Sequence, residues 1–166
     1  MKVTFAPRNI LQIDDARICF RNFAGRRTDF NNEGDRNFAL VIPNEEIKEA
    51  LLNDVNEFGA AWNVKIKEGR NPGDEPFMYM NVKVKYTDKS QPKVYLISGK
   101  NRLELGEDDV DMLDDIDIRS VDLDIRPYDG EGRFGPHRTA YLQAIYVTQE
   151  IDRFAARFAE EEYPEE

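Results

Sequence analysis

Apolar and polar residues alternate with a period of two along much of this chain. Ala16, Ile18 and Phe20 alternate with Arg17, Cys19 and Arg21, and Trp62, Val64 and Ile66 alternate with Asn63, Lys65 and Lys67. Met78, Met80, Val82, Val84 and Tyr86 are set against Tyr79, Asn81, Lys83 and Lys85. Residues 37–42, 93–98, 118–128 and 138–148 continue the pattern and complete seven strand candidates. Successive side chains of a strand point to opposite faces, so each segment predicts one buried and one solvated face. Most are rich in the β-branched and aromatic residues that suit a half-buried sheet. By phase, Phe20, Phe38 and Trp62 belong to the core.

A period near 3.6 replaces this alternation in a few places. Asn44 reads as a helix cap, with Glu45 and Glu46 in the first turn. Ile47, Ala50, Leu51, Val55 and Phe58 then share a face up to Gly59, which predicts one main helix at about 44–59. Residues 107–115 can form a short helix with Val110 and Leu113 turned inward. Residues 150–162 predict another, with Ile151, Phe154, Ala155 and Phe158 on one stripe. Glycine- and proline-bearing loops fall at 25–27, 32–35, 69–76 and 129–136. The fold class expected is mainly β with inserted helices, a β-rich α+β chain most simply built as a small closed barrel. Residues 1–150 would form this domain, and residues 151–166 a C-terminal helix and tail.

Charge changes the picture only when it is located. The 166 residues carry a net charge of −10, which taken alone speaks against a nucleic-acid partner. Residues 1–102, however, hold 17 Lys/Arg against 14 Asp/Glu, whereas residues 103–166 hold 6 against 19. Two acidic blocks account for the difference, residues 104–117 and the terminal Glu160, Glu161, Glu162, Tyr163, Pro164, Glu165 and Glu166. An acidic terminus of this kind is expected to be a solvated tail. The longest apolar run, Phe38 to Ile42, is far shorter than the ~20 residues that cross a bilayer. No secretory leader is visible, and one cysteine excludes a disulfide framework. A soluble, intracellular chain is expected.

Three segments could carry binding chemistry. Residues 17–38 interleave Arg17, Arg21, Arg26, Arg27 and Arg36 with Phe20, Phe23, Phe30 and Phe38. Guanidinium groups pair with phosphates and flat rings stack on unpaired bases, which is what a single nucleic-acid strand requires. Phe23 and Phe30 flank the polar loop and are the stacking candidates; the competing account is a strand, a loop and a strand with core phenylalanines. The second segment is a set of polar strand faces bearing Lys65 and Lys67, then Tyr79, Lys83 and Lys85, then Lys93 and Tyr95. Taken singly each is a solvated face that discourages edge pairing; aligned in one sheet they would form a basic track with tyrosine platforms. The third is the loop at 129–138, with Arg133, Phe134, His137 and Arg138 at its tip, able to close over a strand or to serve only as a connection.

Catalysis, cofactors and a metal site are not expected. His137 is the only histidine, and no nucleophile motif accompanies it. The acids at 107–117 lack the glycine and spacing of a calcium loop. Asp122 and Asp124 share a strand face without a lysine or histidine at a telling spacing. Cys19 reads as a strand filler.

The runs Ile13 to Gly25 and Gly34 to Phe38 carry a further signal, together with Trp62-Asn63-Val64-Lys65, Val82-Lys83-Val84, Val121 to Tyr128, Ala140-Tyr141-Leu142 and Ile145-Tyr146-Val147. Together they resemble a group of small tailed-bacteriophage proteins described as single-stranded DNA-binding proteins, over most of residues 10–150. That resemblance implies an oligonucleotide/oligosaccharide-binding (OB) barrel with a helix inserted between strands. It also implies an acidic C-terminal tail that recruits replication or recombination proteins and competes with DNA. Bacterial and some phage tails of this kind end on an aromatic residue, whereas this chain ends Tyr163-Pro164-Glu165-Glu166. The expected partners are single-stranded DNA and, through the tail, replication or recombination proteins, with a homodimer left open and the host cytoplasm as the setting. The rival expectation is an acidic DNA mimic that inhibits a host restriction or CRISPR nuclease.

Overall fold

The computed structural model describes residues 1–87 and 89–151. Ten strands form one sheet: β1 (Lys2–Phe5), β2 (Leu11–Ala16), β3 (Ile18–Asn22), β4 (Arg36–Ile42), β5 (Val64–Lys67), β6 (Phe77–Val84), β7 (Lys93–Ser98), β8 (Asn101–Leu105), β9 (Ile118–Gly132) and β10 (Gly135–Gln149). Their hydrogen-bonded order is β1-β2-β9-β10-β6-β4-β3, with β5 on β6 and the β7–β8 hairpin on β10. The path ends at β1 and β3, so the barrel is not closed by a ladder. The sheet is thus open where a closed barrel is expected, and at its open side β2 and β3, separated only by Arg17, lie against β9 and β4 respectively. The Arg17 carbonyl at this corner accepts from the Val41 N–H of β4 at 2.9 Å.

The seven expected strands are present. β1, β2 and β8 were not legible, for physical reasons. The Asp14-Asp15 pair and a register shift between Ile13 and Ala16 break the alternation of β2. β1 and β8 are edge strands whose residues are mostly exposed. Inside the sheet, Leu11, Ile13, Phe38, Leu40, Met80, Val82, Val94, Leu123, Ile125, Leu142, Ile145 and Val147 form one core, with Trp62 fully buried as its phase predicted.

The main helix, α1 (Glu45–Asn53), starts as expected, with the Asn44 side chain accepting from the Ile47 N–H at 2.9 Å. It stops six residues before Gly59. Val55 and Phe58 therefore lie beyond it and stay largely exposed, while Leu51 alone is fully buried. The short helix expected at 107–115 is a tighter 3-10 turn over Val110–Asp114, and Val110 and Leu113 do point inward. The expected helix at 150–162 and the acidic tail lie outside the described residues.

The segment 129–138, expected as a mobile loop, is instead strand almost to its tip, with Gly132 opposite Gly135. Arg138 is correspondingly not at the tip but buried, its side chain 1 % exposed. Its Nε and Nη2 donate to the two carboxylate oxygens of Asp129 at 2.8 and 3.1 Å. Nη1 lies 3.1 Å from the Asp54 carboxylate and also donates to the Asp54 carbonyl. The same Asp54 accepts from the Trp62 indole N–H at 2.8 Å, and Asn56 donates to Asp129 and to the His137 carbonyl. This network ties the end of α1 to the β9–β10 hairpin.

Candidate functional site

The largest departure from simple alternation lies in β3, and it creates the site. A register shift between Cys19 and Asn22 inserts an irregularity into the β3–β4 ladder, and Phe20 sits in the left-handed region at φ 50°. A bulge of this kind re-aims the side chains that follow it. Phe20, expected in the core, is 65 % exposed, and Phe23, expected to be a stacking residue, is fully buried against Phe38 with ring centroids 5.2 Å apart. The two phenylalanines exchange roles because the strand gains a residue between Cys19 and Asn22. A bulky residue at positive φ is strained by about 1–3 kcal/mol, and such strain persists where the surroundings impose it, often at a functional surface.

Phe20 projects onto the outer face of β6. Its ring meets Phe77 and Tyr79 edge-on at 6.1 and 6.0 Å, and those two rings stack on each other at 5.5 Å. The register then gathers the cations. Lys67 lies opposite Phe77 and Lys65 opposite Tyr79 on β5, while Asn37 of β4 lies opposite Lys83. Lys65, Lys67, Lys83 and Lys85 are all exposed.

Three concavities run along this face and share lining residues. One of about 1020 Å³ includes Arg17, Phe20 and Phe77. A second of about 540 Å³ begins again at Phe20 and includes Arg26, Phe30, Asn81 and Lys83. A third of about 390 Å³ shares Asn37 and Lys83 with the second and adds Lys85. Together they make a groove with Phe20 in its wall and Phe30, wholly exposed, on its rim.

The loop carrying the arginines is ordered by its own polar groups. Gly25 and Gly34 cross closely: the Gly34 N–H donates to the Gly25 carbonyl at 2.8 Å, and a β-carbon on Gly25 would come within 3.1 Å of the Gly34 backbone. Gly25 also has φ 69°, so an alanine there meets both strain and a clash. Asn22 and Asn31 bracket the turn with hydrogen bonds to Arg26.

The acidic stretch clasps this loop from outside. Asp114 accepts from the N–H groups of Phe23 at 2.7 Å and Ala24 at 3.0 Å. Arg21, expected to meet phosphate, instead donates through Nη1 to the carbonyls of Leu113 and Ile116 at 2.6 and 2.8 Å, so it holds the clasp in place. Arg36 also departs from its expected role: it is partly buried, lies 3.9 Å from Glu107, and covers the Tyr86 ring at 5.6 Å. Burial pushes the Tyr86 hydroxyl up to about 12, with Arg36 opposing and Glu107 reinforcing. Arg26 keeps a looser contact with Asp115 at 3.9 Å, both side chains mostly exposed, and Arg27 is exposed. Asp114→Ala leaves two partly buried N–H groups without acceptors and is expected to destabilise the fold by about 1–3 kcal/mol, measured by urea denaturation.

The remaining candidates lie elsewhere. Tyr95 stacks on Tyr146 at 4.8 Å beneath the Arg102 guanidinium, on the outer face of the β7–β10 pair. Arg133 and Phe134 occupy the β9–β10 tip, Phe134 being 96 % exposed. Sequence reasoning missed Phe20, Phe77 and Asn81. Phe77 and Asn81 have the parity of Tyr79 and Lys83 and were legible from that phase; Phe20 was not, because the bulge reverses its phase. Among the described residues no helix is long and apolar enough to cross a membrane, and no group of three potential metal ligands is assembled.

A mostly β chain with one inserted helix and an outer groove of aromatic and charged side chains is OB-like in architecture. The chain belongs to the family described as "Putative phage ssDNA-binding domain", whose model matches residues 1–166. Two solved structures share the fold. The single-stranded DNA-binding protein from bacteriophage Enc34 has a TM-score of 0.51 at 15% identity, covering 93% of each chain. The same phage's protein in complex with ssDNA has a TM-score of 0.50 at 16% identity, covering 92% of this chain and 93% of that one. A comparison with curated proteins returned no match.

Proposed function

We propose that this chain binds single-stranded DNA without strong sequence preference, laying it along the groove formed by β3, β4 and β6. Arg17, Arg26, Arg27, Lys65, Lys67, Lys83 and Lys85 supply phosphate contacts, and Phe20, Phe30 and Tyr79 supply surfaces for bases. One observation carries the reading: a strained bulge holds Phe20 out of the core and into a groove whose lining includes Arg17, Arg26 and Lys83, the acids Asp15, Glu45 and Glu75 being confined to the end beyond Phe77. Membership of a phage ssDNA-binding family supports it, as does the structural neighbour solved in complex with ssDNA. The role is non-catalytic, the protection and presentation of unpaired strands during phage replication or recombination in the host cytoplasm. The acidic tail Glu160–Glu166 would recruit partners and compete with DNA for the groove.

The DNA-mimic reading loses support from where the acids point. Asp54, Asp114, Asp122 and Asp129 accept hydrogen bonds from this chain's own groups and so serve the fold.

Anisotropy titration of labelled oligo-dT across a salt series tests the proposal. Release of counterions from about seven neutralised phosphates predicts a slope of about −5 in log K against log salt. Absence of binding at low salt would overturn it, and deletion of residues 160–166 is expected to tighten binding.

A further inference from the structure

A second aromatic array lies outside the groove, on the outer face of the β9–β10 hairpin. The Tyr128 and Tyr141 rings stack at 5.3 Å and 9°, and His137 extends the stack over Tyr128 at 6.0 Å. Two cations cover Tyr141, Arg126 at 5.0 Å and Lys85 at 5.7 Å. Tyr128 remains 53 % exposed. These residues share a face because 126 and 128 on β9, and 137 and 141 on β10, have outward phase, while Ile125, Arg138, Ala140 and Leu142 point inward. The array is continuous with the groove, since Tyr141 of β10 lies directly opposite Lys83 of β6.

We infer that Arg126, Tyr128, His137 and Tyr141, with Lys85 at the junction, form a second contact segment that carries the DNA strand from the groove toward the hairpin tip. The inference rests on the groove's being the primary DNA site. Mutual stacking holds the rings in place before any strand arrives, so little side-chain entropy is lost on contact. Arg126 and Lys85 would meet phosphates, and the open part of Tyr128 a base.

The direction follows from charge. Along the same face of β9, the next outward residues after Arg126 are Asp124 and Asp122, and Asp14 borders them. Asp124 is held above the usual carboxylate range by burial and by Asp14, which marks how closely the acids are set. A phosphate chain is repelled from that end. It is drawn the other way, past Tyr128 and His137 to Arg133 and Phe134 at the tip. The Tyr95–Tyr146–Arg102 stack lies on the far side of the acids, with Tyr146 directly opposite Asp122, and is left off the path.

The test uses the full chain and two lengths of oligo-dT, on the order of 6 and 20 nucleotides, which bracket part and all of a barrel-sized site. The double variant Arg126→Gln/Tyr128→Ala is expected to bind the short oligomer as the wild type does. It should bind the long one about fivefold or more weakly, with a smaller occluded site. Arg126→Gln alone should show the same length dependence more weakly, and Arg102→Gln none. Unchanged affinity and site size on the long oligomer in folded double and Arg126 variants would overturn the inference, as would an equal loss at both lengths or an equal loss from Arg102→Gln. Phe20→Ala separates the two layers: if it leaves the short oligomer unaffected, the groove reading itself fails.

Discussion

Arg138→Met is expected to lower the unfolding free energy by about 3 kcal/mol, because it strands two partly buried carboxylates rather than removing a surface pair. For a chain of this size that is a fall in Tm of about 6–12 °C, readable by circular dichroism. The arginine side chain is almost fully enclosed, pairs with both oxygens of Asp129, reaches Asp54, and stands 5.0 Å over the Trp62 ring. Loss of the charge also frees the indole's acceptor to shift, so the end of α1 and the hairpin loosen together. Tryptophan emission from Trp62, the only tryptophan, should move to longer wavelength at lower denaturant than in the wild type.

The same network sets an acid limit. Burial alone would raise the Asp129 carboxyl, but hydrogen bonds from Arg138 and Asn56 and the Arg138 charge outweigh it and hold the group below its usual range. A carboxylate whose native pKa lies below its unfolded one contributes stability that is present above the unfolded value. That stability is lost as pH falls through the native value. Wild-type stability should therefore decline below about pH 4, and Arg138→Met should remove this part of the decline. A variant with wild-type Tm at neutral pH would show that the network is ornamental to the fold.

The second large effect separates two neighbouring phenylalanines. Phe23→Ala should cost about 3–5 kcal/mol of stability, since it empties a site packed on Phe38 in the core. Phe20→Ala should change stability by less than about 1 kcal/mol, because most of the ring is in solvent. For DNA the effects are expected to invert. Phe20→Ala should weaken oligo-dT binding by about 1–3 kcal/mol, roughly 5- to 150-fold, as for loss of one stacking ring. Any weakening in Phe23→Ala should track its loss of folded protein, which a denaturant series run beside the titration resolves. Equal and small binding effects from both would remove Phe20 from the site.

How much of this was legible in the sequence depends on whether a property is local. The barrel's inner residues could be read from alternation, since period-two burial follows from the pleat and needs no knowledge of partners. Asn44 announced the start of α1 because a cap acts within three residues. The end of α1 was misplaced: Val55 and Phe58 have helical spacing, but the chain leaves the helix so that Asp54 and Asn56 can meet Arg138 and Asp129 across the fold. The lysine faces were each visible, whereas their union in one groove depends on the register of β5, β6 and β4.

The net charge illustrates the same division. Its unequal distribution along the chain was evident from residue order alone, and so were the β-rich class, the single capped helix and the buried Trp62. Only the tertiary structure decided that the acids of 104–117 clasp the arginine loop, that Arg21 and Arg36 serve that clasp, and that Phe20 rather than Phe23 faces solvent. The reason is physical. Alternation, capping and composition act between residues close in sequence, while a bulge, an ion pair across ninety residues or a shared sheet face exists only once distant segments have chosen their register.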